Sequence, residues 1–367
     1  MNITYIAAYK ASFPSRQANS IHMMRMCEAM SELGHEVTLY IRYQGSSIQE
    51  IFNFYGIEQR FTIIPITSYL PKIDRIEHAL KSVFNARKGK VDLIVSRSAI
   101  PSALAEVLNI KFVFDAHGPV WEKNIVEQLC FKKIIGSKNI KKMTVNSSAL
   151  KQLYINKGLV PECGILVANN GAVISQDVKS DIIWPGRQDA LQVGYTGHLY
   201  QGRGVDIVLK CAEVLSCCDF HLIGGTDDDI DYWKSGTDLP NVFFHGFVRP
   251  SEVASYRQHC DLLLAPYQSS GVSMAGGSGD QSAYMNPIKV IEYMSSGKAI
   301  IASDIPAVRE VIPPDAALFA VPHDYNSWVS CIERMMESSF RESMAKRSSL
   351  NFDDSYTWQS RAKKLIH

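Results

Sequence analysis

Short apolar runs separated by stretches of helical period recur along most of this 367-residue chain. The runs at 3–8, 36–41, 61–65, 91–96, 111–115, 143–146 and 164–167 have the length and composition of strands, with helical stretches between several of them. The first helix starts near Ser20, where Met23, Met26, Cys27, Met30 and Leu33 form a buried stripe and Gly34 provides the stop. After a polar stretch containing Pro and Gly at 175–189, a second series of strands begins, at 191–195, 220–223, 242–244, 262–265, 299–302 and 317–319. Apolar strands alternating with helices argue for parallel, doubly wound sheets. The pattern therefore predicts an α/β chain of two Rossmann-like domains facing a central cleft, over residues 1–175 and 188–350. The biased segment at 269–282, rich in Ser and Gly, is a candidate lid over a ligand.

Charge separates the two halves. Residues 1–180 hold 22 Lys+Arg against 14 Asp+Glu, and residues 181–367 hold 16 against 23, so a net +1 conceals +8 and −7. In the basic half, Lys132, Lys133, Lys138, Lys141 and Lys142 surround Phe131, Ile134 and Ile135. This is either a contact for an anionic membrane surface or a solvated lysine-rich face. No nucleic-acid-binding motif accompanies the charge. The eight cysteines show no CxxC spacing, and Cys27, Cys211 and Cys331 lie in apolar, helix-like contexts, as reduced core thiols do. No apolar run reaches membrane-spanning length and the chain opens directly into a strand, so the expected compartment is the cytoplasm.

Ligands of doubly wound sheets bind beyond the carboxyl ends of the strands, which makes the residues after each strand the ones to interrogate. The segment from Asn286 to Gly297 reads as a helix with Asn286 as its cap, Pro287 at its first position and Gly297 as its stop. Lys289, Glu292, Tyr293 and Ser296 share an arc roughly 100° wide opposite Ile288, Val290, Ile291 and Met294. Such a helix could hold an anion at its N-terminus and a ribose diol on Glu292, or it could be a surface helix with an i, i+3 ion pair. After the strand at 191–195, Gly197, Gly202, Arg203 and Gly204 form a diphosphate site or a glycine-rich turn. His117, in Asp-Ala-His-Gly-Pro, stands at the end of a strand of the first sheet. It could donate to a sugar hydroxyl or a leaving phosphate, or serve as a structural histidine in a turn, with Asp115 fixing the turn or the imidazole. Phe247 and Val248 could seat a nucleobase by apolar contact and backbone hydrogen bonds.

Together these segments resemble the retaining nucleotide-sugar glycosyltransferases of the GT-B fold, in the family-four grouping that includes many enzymes of bacterial polysaccharide synthesis. The resemblance runs from Asn19-Ser20-Ile21-His22 and the Leu-Gly-His-Glu-Val at 33–37, through Asp115-Ala-His117-Gly, Asn170-Gly171 and Tyr195-Thr-Gly197, to His245-Gly-Phe-Val. It is most specific in Pro287-Ile-Lys289-Val-Ile-Glu292 and in the block from Gly297 to Asp304. It implies that Arg203 and Lys289 hold the diphosphate, Glu292 the ribose, and His117 the transferred sugar or its leaving phosphate. Tyr284, Asn286 and Pro287 would lie near the donor sugar, and Ser20 and His22 on the acceptor side. A closing helix within 354–367 would complete the first domain. The chain departs from the family in two places. Tyr284 stands eight positions before Glu292, where many relatives carry a second glutamate, and the loop at 10–19 lacks the relatives' Gly-Gly turn. Asp280 is a stand-in for the missing carboxylate.

The implied activity is transfer of a hexose or N-acetylhexosamine from a UDP- or GDP-sugar to a glycan or lipid-linked oligosaccharide acceptor. It requires neither cofactor nor metal, because cations and helix dipoles neutralise the diphosphate. Front-face attack, with the departing phosphate taking the acceptor's proton, would retain the anomeric configuration. Rival readings are a nucleotide-sugar epimerase of the same fold and a sugar-nucleotide binding protein without catalysis. A metal-dependent transferase would need the run Asp227-Asp228-Asp229 as its site, but these residues look like the acidic start of a helix. A dehydrogenase would need a Gly-x-Gly-x-x-Gly in the first loop, which this chain lacks.

Overall fold

Strands that are apolar on both faces need cover on both sides, and this requirement organises each half of the molecule. The computed structural model describes residues 1–7, 11–43, 45–71, 73–174, 182–200, 202–272 and 280–367. The chain divides into unit 1, residues 1–170 with 358–367, and unit 2, residues 171–357. Unit 1 contains β1 (Asn2–Ile6), β2 (Glu36–Arg42), β3 (Thr62–Ile66), β4 (Leu93–Ser96), β5 (Phe112–Ala116), β6 (Ile140–Val145) and β7 (Ile165–Val167). They form one parallel sheet in the order β3-β2-β1-β4-β5-β6-β7. Unit 2 contains β8 (Leu191–Thr196), β9 (Cys218–Ile223), β10 (Val242–Gly246), β11 (Leu262–Ala265), β12 (Ala299–Ser303) and β13 (Leu318–Ala320). Their parallel order is β10-β9-β8-β11-β12-β13. Every strand of the hydrophobic pattern forms, and each unit has the parallel, doubly wound sheet that the pattern predicts.

In both sheets the strand order reverses beside the first strand, between β1 and β4 in unit 1 and between β8 and β11 in unit 2. At such a switch point the flanking loops diverge to opposite faces, leaving a crevice at the carboxyl ends. Every residue of β4, β11 and β12 is shielded from solvent. Boundaries differ from the sequence pattern where polar residues join a ladder. β6 begins at Ile140 because Lys142 continues the pairing with β5, and the first helix, Ala18–Glu32, begins two residues before Ser20. Met23, Met26, Cys27 and Met30 are buried, whereas Leu33 is the half-buried cap residue.

The C-terminal helix, Trp358–Ile366, packs on the Ala18–Glu32 helix and belongs to unit 1. A short turn of 3-10 helix, Asp354–Tyr356, precedes it. Among the described residues no helix is long and apolar enough to cross a membrane. All eight thiols are free, with Cys27, Cys211 and Cys331 buried.

Candidate functional site

At the switch point of unit 2, β8 is followed by Gly197 and β11 runs into Pro266 and Tyr267. The glycine-rich loop folds tightly onto this edge. Gly204 has φ +77°, and a Cβ there would stand 1.9 Å from the Pro266 carbonyl oxygen, so only glycine fits. Arg203 is thereby set beside the Tyr267 ring, 5.9 Å from its centroid, at the N-terminus of the Val205–Val214 helix.

Lys289 approaches the same place from the next helix. Its Nζ lies 3.7 Å from the centroid of Tyr195 and 5.0 Å from that of Tyr267. A Cβ on Gly197, whose φ is +138°, would meet that ammonium at 3.2 Å. Burial holds the Lys289 ammonium well below the ordinary lysine range, and the charge of Arg203 adds to the shift while Glu292 opposes it. Burial likewise pushes the Tyr267 phenol up to about 12, against the pull of Arg203. Two cations that repel one another thus converge on one aromatic ring at the carboxyl edge of a parallel sheet.

The lysine's helix begins one residue later than the sequence reading placed it. Pro287, not Asn286, holds the N-cap position of Ile288–Ser295, and no side chain caps it. Proline lacks the N–H a further turn would need, and Asn286 is instead buried ahead of the helix. Gly297 stops the helix at φ +65°. The polar arc is not a solvent-facing surface. Tyr293 is fully buried, and its hydroxyl accepts from Thr196 N at 2.9 Å, tying the helix to the end of β8. Ser296 is buried and donates to the Tyr293 carbonyl. Glu292 pairs with Arg257 at 3.3 Å, so Lys289 is left to the tyrosine rings and the surface-helix alternative falls. Arg257, which positions that carboxylate, went unseen in the sequence because it lies 35 residues away on another helix.

Several other sequence expectations change. The Val248 side chain is buried in the core of unit 2, whereas Phe247 is half-buried. Tyr284 is buried in a turn. The Asp280 carboxylate accepts from the N–H groups of Gly271, Val272 and Ser282, which removes it as a stand-in for the missing glutamate. The centre of the candidate lid, residues 273–279, lies outside the described residues, as do residues 8–10 of the first strand and loop. Asp227–Asp229 do begin a helix, where Thr226 and Asp229 form a reciprocal cap.

In unit 1 His117 follows β5 and joins a buried polar cluster. Its Nε2 is 2.9 Å from Asp115 Oδ2. Asp115 also accepts from Thr144 Oγ1 at 2.7 Å and from Arg361 Nη2 at 3.0 and 3.2 Å. These contacts use the lone pairs a carboxylate offers. Burial raises the Asp115 pKa, but the charge of Arg361 and the neighbouring His117 outweigh it and hold the carboxyl well below its usual range. Burial, then the charge of Arg97, lowers His117 to about 4, so the ring is neutral at pH 7. A neutral imidazole carries one N–H. Its Nε2 faces a carboxylate and therefore holds that proton, leaving Nδ1 as an acceptor. The free nitrogen of His117 is therefore an acceptor, where the sequence reading expected a donor.

His22 lies behind His117, its ring edge-on to both His117, at 4.5 Å, and Trp358, at 5.3 Å. Ser20, expected on the acceptor side, is fully buried and its hydroxyl donates to the Gln17 carbonyl at 2.8 Å. The nitrogen and oxygen atoms of His22, Asp115 and His117 lie within 4.8 Å of one another, a spacing that suits a metal ion. Arg361 already supplies the positive charge there and occupies both carboxylate oxygens, so the donor set fits a guanidinium better than a dication. Arg361 arrives from the C-terminal helix, 246 residues from Asp115, and no sequence spacing signals it.

The lysine-rich patch also changes. Phe131 and Ile134 are core residues, and Lys142 Nζ donates to the Lys364 carbonyl at 2.9 Å while Lys141 bonds the Ile366 carbonyl. The exposed apolar side chains are Ile125, Val126 and Leu129, one turn earlier on the same helix, next to exposed Lys132 and Lys133.

Comparison with known proteins agrees with the fold and adds chemistry. Residues 20–176 match the family model described as Glycosyltransferase Family 4, and residues 190–338 match that described as Glycosyl transferases group 1. HepE of Anabaena, solved in complex with UDP-glucose, superposes with a TM-score of 0.73 at 13% identity, covering 100% of this chain and 98% of that one. Sucrose-phosphate synthase of Thermosynechococcus elongatus gives 0.71 at 15% identity, covering 99% and 97%. A protein of Bacillus subtilis (strain 168) described as a teichuronic acid biosynthesis glycosyltransferase, TuaH, is 28% identical over 76 residues, which span 21% of this chain and 17% of that protein.

Proposed function

We propose that this chain, which belongs to the glycosyltransferases of the group 1 and family 4 type, moves a hexose or N-acetylhexosamine from a nucleotide diphosphate sugar to a glycan or lipid-linked acceptor. The observation that carries the reading is the pair of cations at the switch point of unit 2. A desolvated lysine and an arginine held over one tyrosine ring repel each other until an anion arrives, and a diphosphate supplies two adjacent charges. Glu292, positioned by Arg257, accepts the ribose hydroxyls, and Phe247 lies against the base. The cations and the N-terminus of the Val205–Val214 helix stabilise the departing diphosphate, so the reaction proceeds without a metal. In unit 1, His117 accepts a hydroxyl of the transferred sugar through Nδ1, and Asp115 and Arg361 fix its tautomer. Attack on the face the diphosphate leaves, with a phosphate oxygen taking the acceptor's proton, retains the anomeric configuration.

UDP is the expected nucleotide, a choice supported by the UDP-glucose complex of HepE. The pathway is bacterial cell-surface polysaccharide synthesis, in line with the description of TuaH, at the cytoplasmic side of the membrane. A thermal-shift panel of UDP-, GDP- and ADP-sugars tests the reading, since a ligand at 100 times its dissociation constant stabilises by about 2.7 kcal/mol. UDP-sugars should give the largest shift; no shift with any nucleotide sugar would contradict the proposal.

A further inference from the structure

We infer that the acceptor is acidic, and that its carboxylate or phosphate binds Arg97 at the carboxyl edge between β1 and β4; this rests on the reading of the chain as a glycosyltransferase whose acceptor lies on unit 1. Arg97 directly follows β4, whose last residue, Ser96, is level with Ile6 at the end of β1. That places the guanidinium at the switch point of the first sheet, where a doubly wound fold presents its ligand site. Arg97 is half-buried, and its charged form is disfavoured chiefly by burial. Among the described residues its one hydrogen bond runs from Nη1 to the Asn19 carbonyl at 3.4 Å, and it has no ion-pair partner.

The neighbouring carboxylates are committed elsewhere. Asp115 is taken up by Arg361, His117 and Thr144. Glu127, beside the next residue, accepts from Ser98 Oγ at 2.5 Å and Ala99 N at 2.7 Å. Arg97 and Arg361 against Asp115 leave one positive charge, because His22 and His117 are neutral. The surroundings also contain polar atoms with nothing to bond. The Tyr5 hydroxyl, both His22 ring nitrogens and Asn19 Oδ1 are buried and have no hydrogen-bond partner among the described residues, and Tyr5 and His22 both feel the charge of Arg97. A half-buried cation without a counter-charge, beside orphaned donors and acceptors, is a site waiting for a polar anion. A sugar acid or sugar phosphate offers both the oxyanion and the hydroxyls.

Calorimetry on the full chain tests this with methyl β-D-glucuronide and glucose 6-phosphate as acidic probes and methyl β-D-glucoside as the neutral control. One acid should bind about tenfold or more tighter than the glucoside, the scale of one charge-assisted hydrogen bond, and the acid preferred identifies carboxylate or phosphate as the source. Arg97→Gln should abolish the preference and Arg97→Lys should keep part of it. Loss of UDP binding with the acid preference intact would overturn the donor reading alone. Equal binding of acid and glucoside by the wild type, or a preference unchanged in both variants, would overturn the inference.

Discussion

Replacing Lys289 by methionine separates the energetics of the free protein from those of the liganded one. In the free protein the ammonium is desolvated, repelled by Arg203, and held by the faces of Tyr195 and Tyr267. Its pKa in the folded chain lies below its unfolded value, so the protonated state near pH 7 opposes folding. Methionine fills similar space without a charge, and Lys289→Met should leave the thermal midpoint unchanged or raise it by a few degrees. Ligand binding responds in the opposite sense. One charge-assisted hydrogen bond contributes ~1.5–3 kcal/mol. At about 1.4 kcal/mol per decade, its loss weakens the dissociation constant for UDP by roughly 10- to 150-fold. Calorimetric titration of UDP into both proteins, with a thermal melt of each, reads the two effects separately. UDP affinity within about twofold of wild type would refute the assignment of Lys289 to the diphosphate. A large drop in the melting temperature would refute the account of its strain.

Arg361→Leu leaves the Asp115 carboxylate buried without its cation and should destabilise the protein by about 3–5 kcal/mol in urea denaturation, with Asp115→Asn recovering part of the loss in the double variant; a loss below about 1 kcal/mol would contradict the cluster's role. Burial depresses the folded pKa of His22, His35, His78, His117, His221 and His245, bringing His78, His117 and His245 to about 4 and His221 to about 3. The unfolded chain binds these protons first, so stability is fully present above about pH 6.5 and falls as pH drops toward 4, by up to about 1.4 kcal/mol per histidine per pH unit. A flat urea midpoint from pH 7 to 5 would contradict the neutral rings. Membrane contact, if it uses the exposed face of Ile125, Leu129, Lys132 and Lys133, should appear as co-sedimentation with phosphatidylglycerol vesicles that weakens with salt and with Leu129→Asp; binding indifferent to both would reject that face.

The sheets were legible because a buried parallel strand leaves an uninterrupted apolar run, as in Leu262–Ala265 and Ala299–Ser303. Lys289 and Arg203 were legible for a related reason, since each sits at a fixed offset from a strand end and a helix start. The partners that tune them were not. Arg257 on Glu292 and Arg361 on Asp115 are long-range pairs that no local period encodes. Asn286 was misread as a cap because Asn-Pro is a good helix-start signal at either of two registers, and packing chose the later one. Phe131 and Ile134 were misread as surface because lysines flank them in sequence, although the helix turns those apolar side chains inward. The protonation of His117 lay further beyond the sequence, because it depends on burial and on Arg97.

A crystal structure of the full chain with a UDP-sugar bound tests the central claim most directly. The account predicts a diphosphate oxygen within about 2.7–2.9 Å of both the Arg203 guanidinium and the Lys289 ammonium, with the ribose hydroxyls on Glu292. A diphosphate seated away from both cations would contradict it.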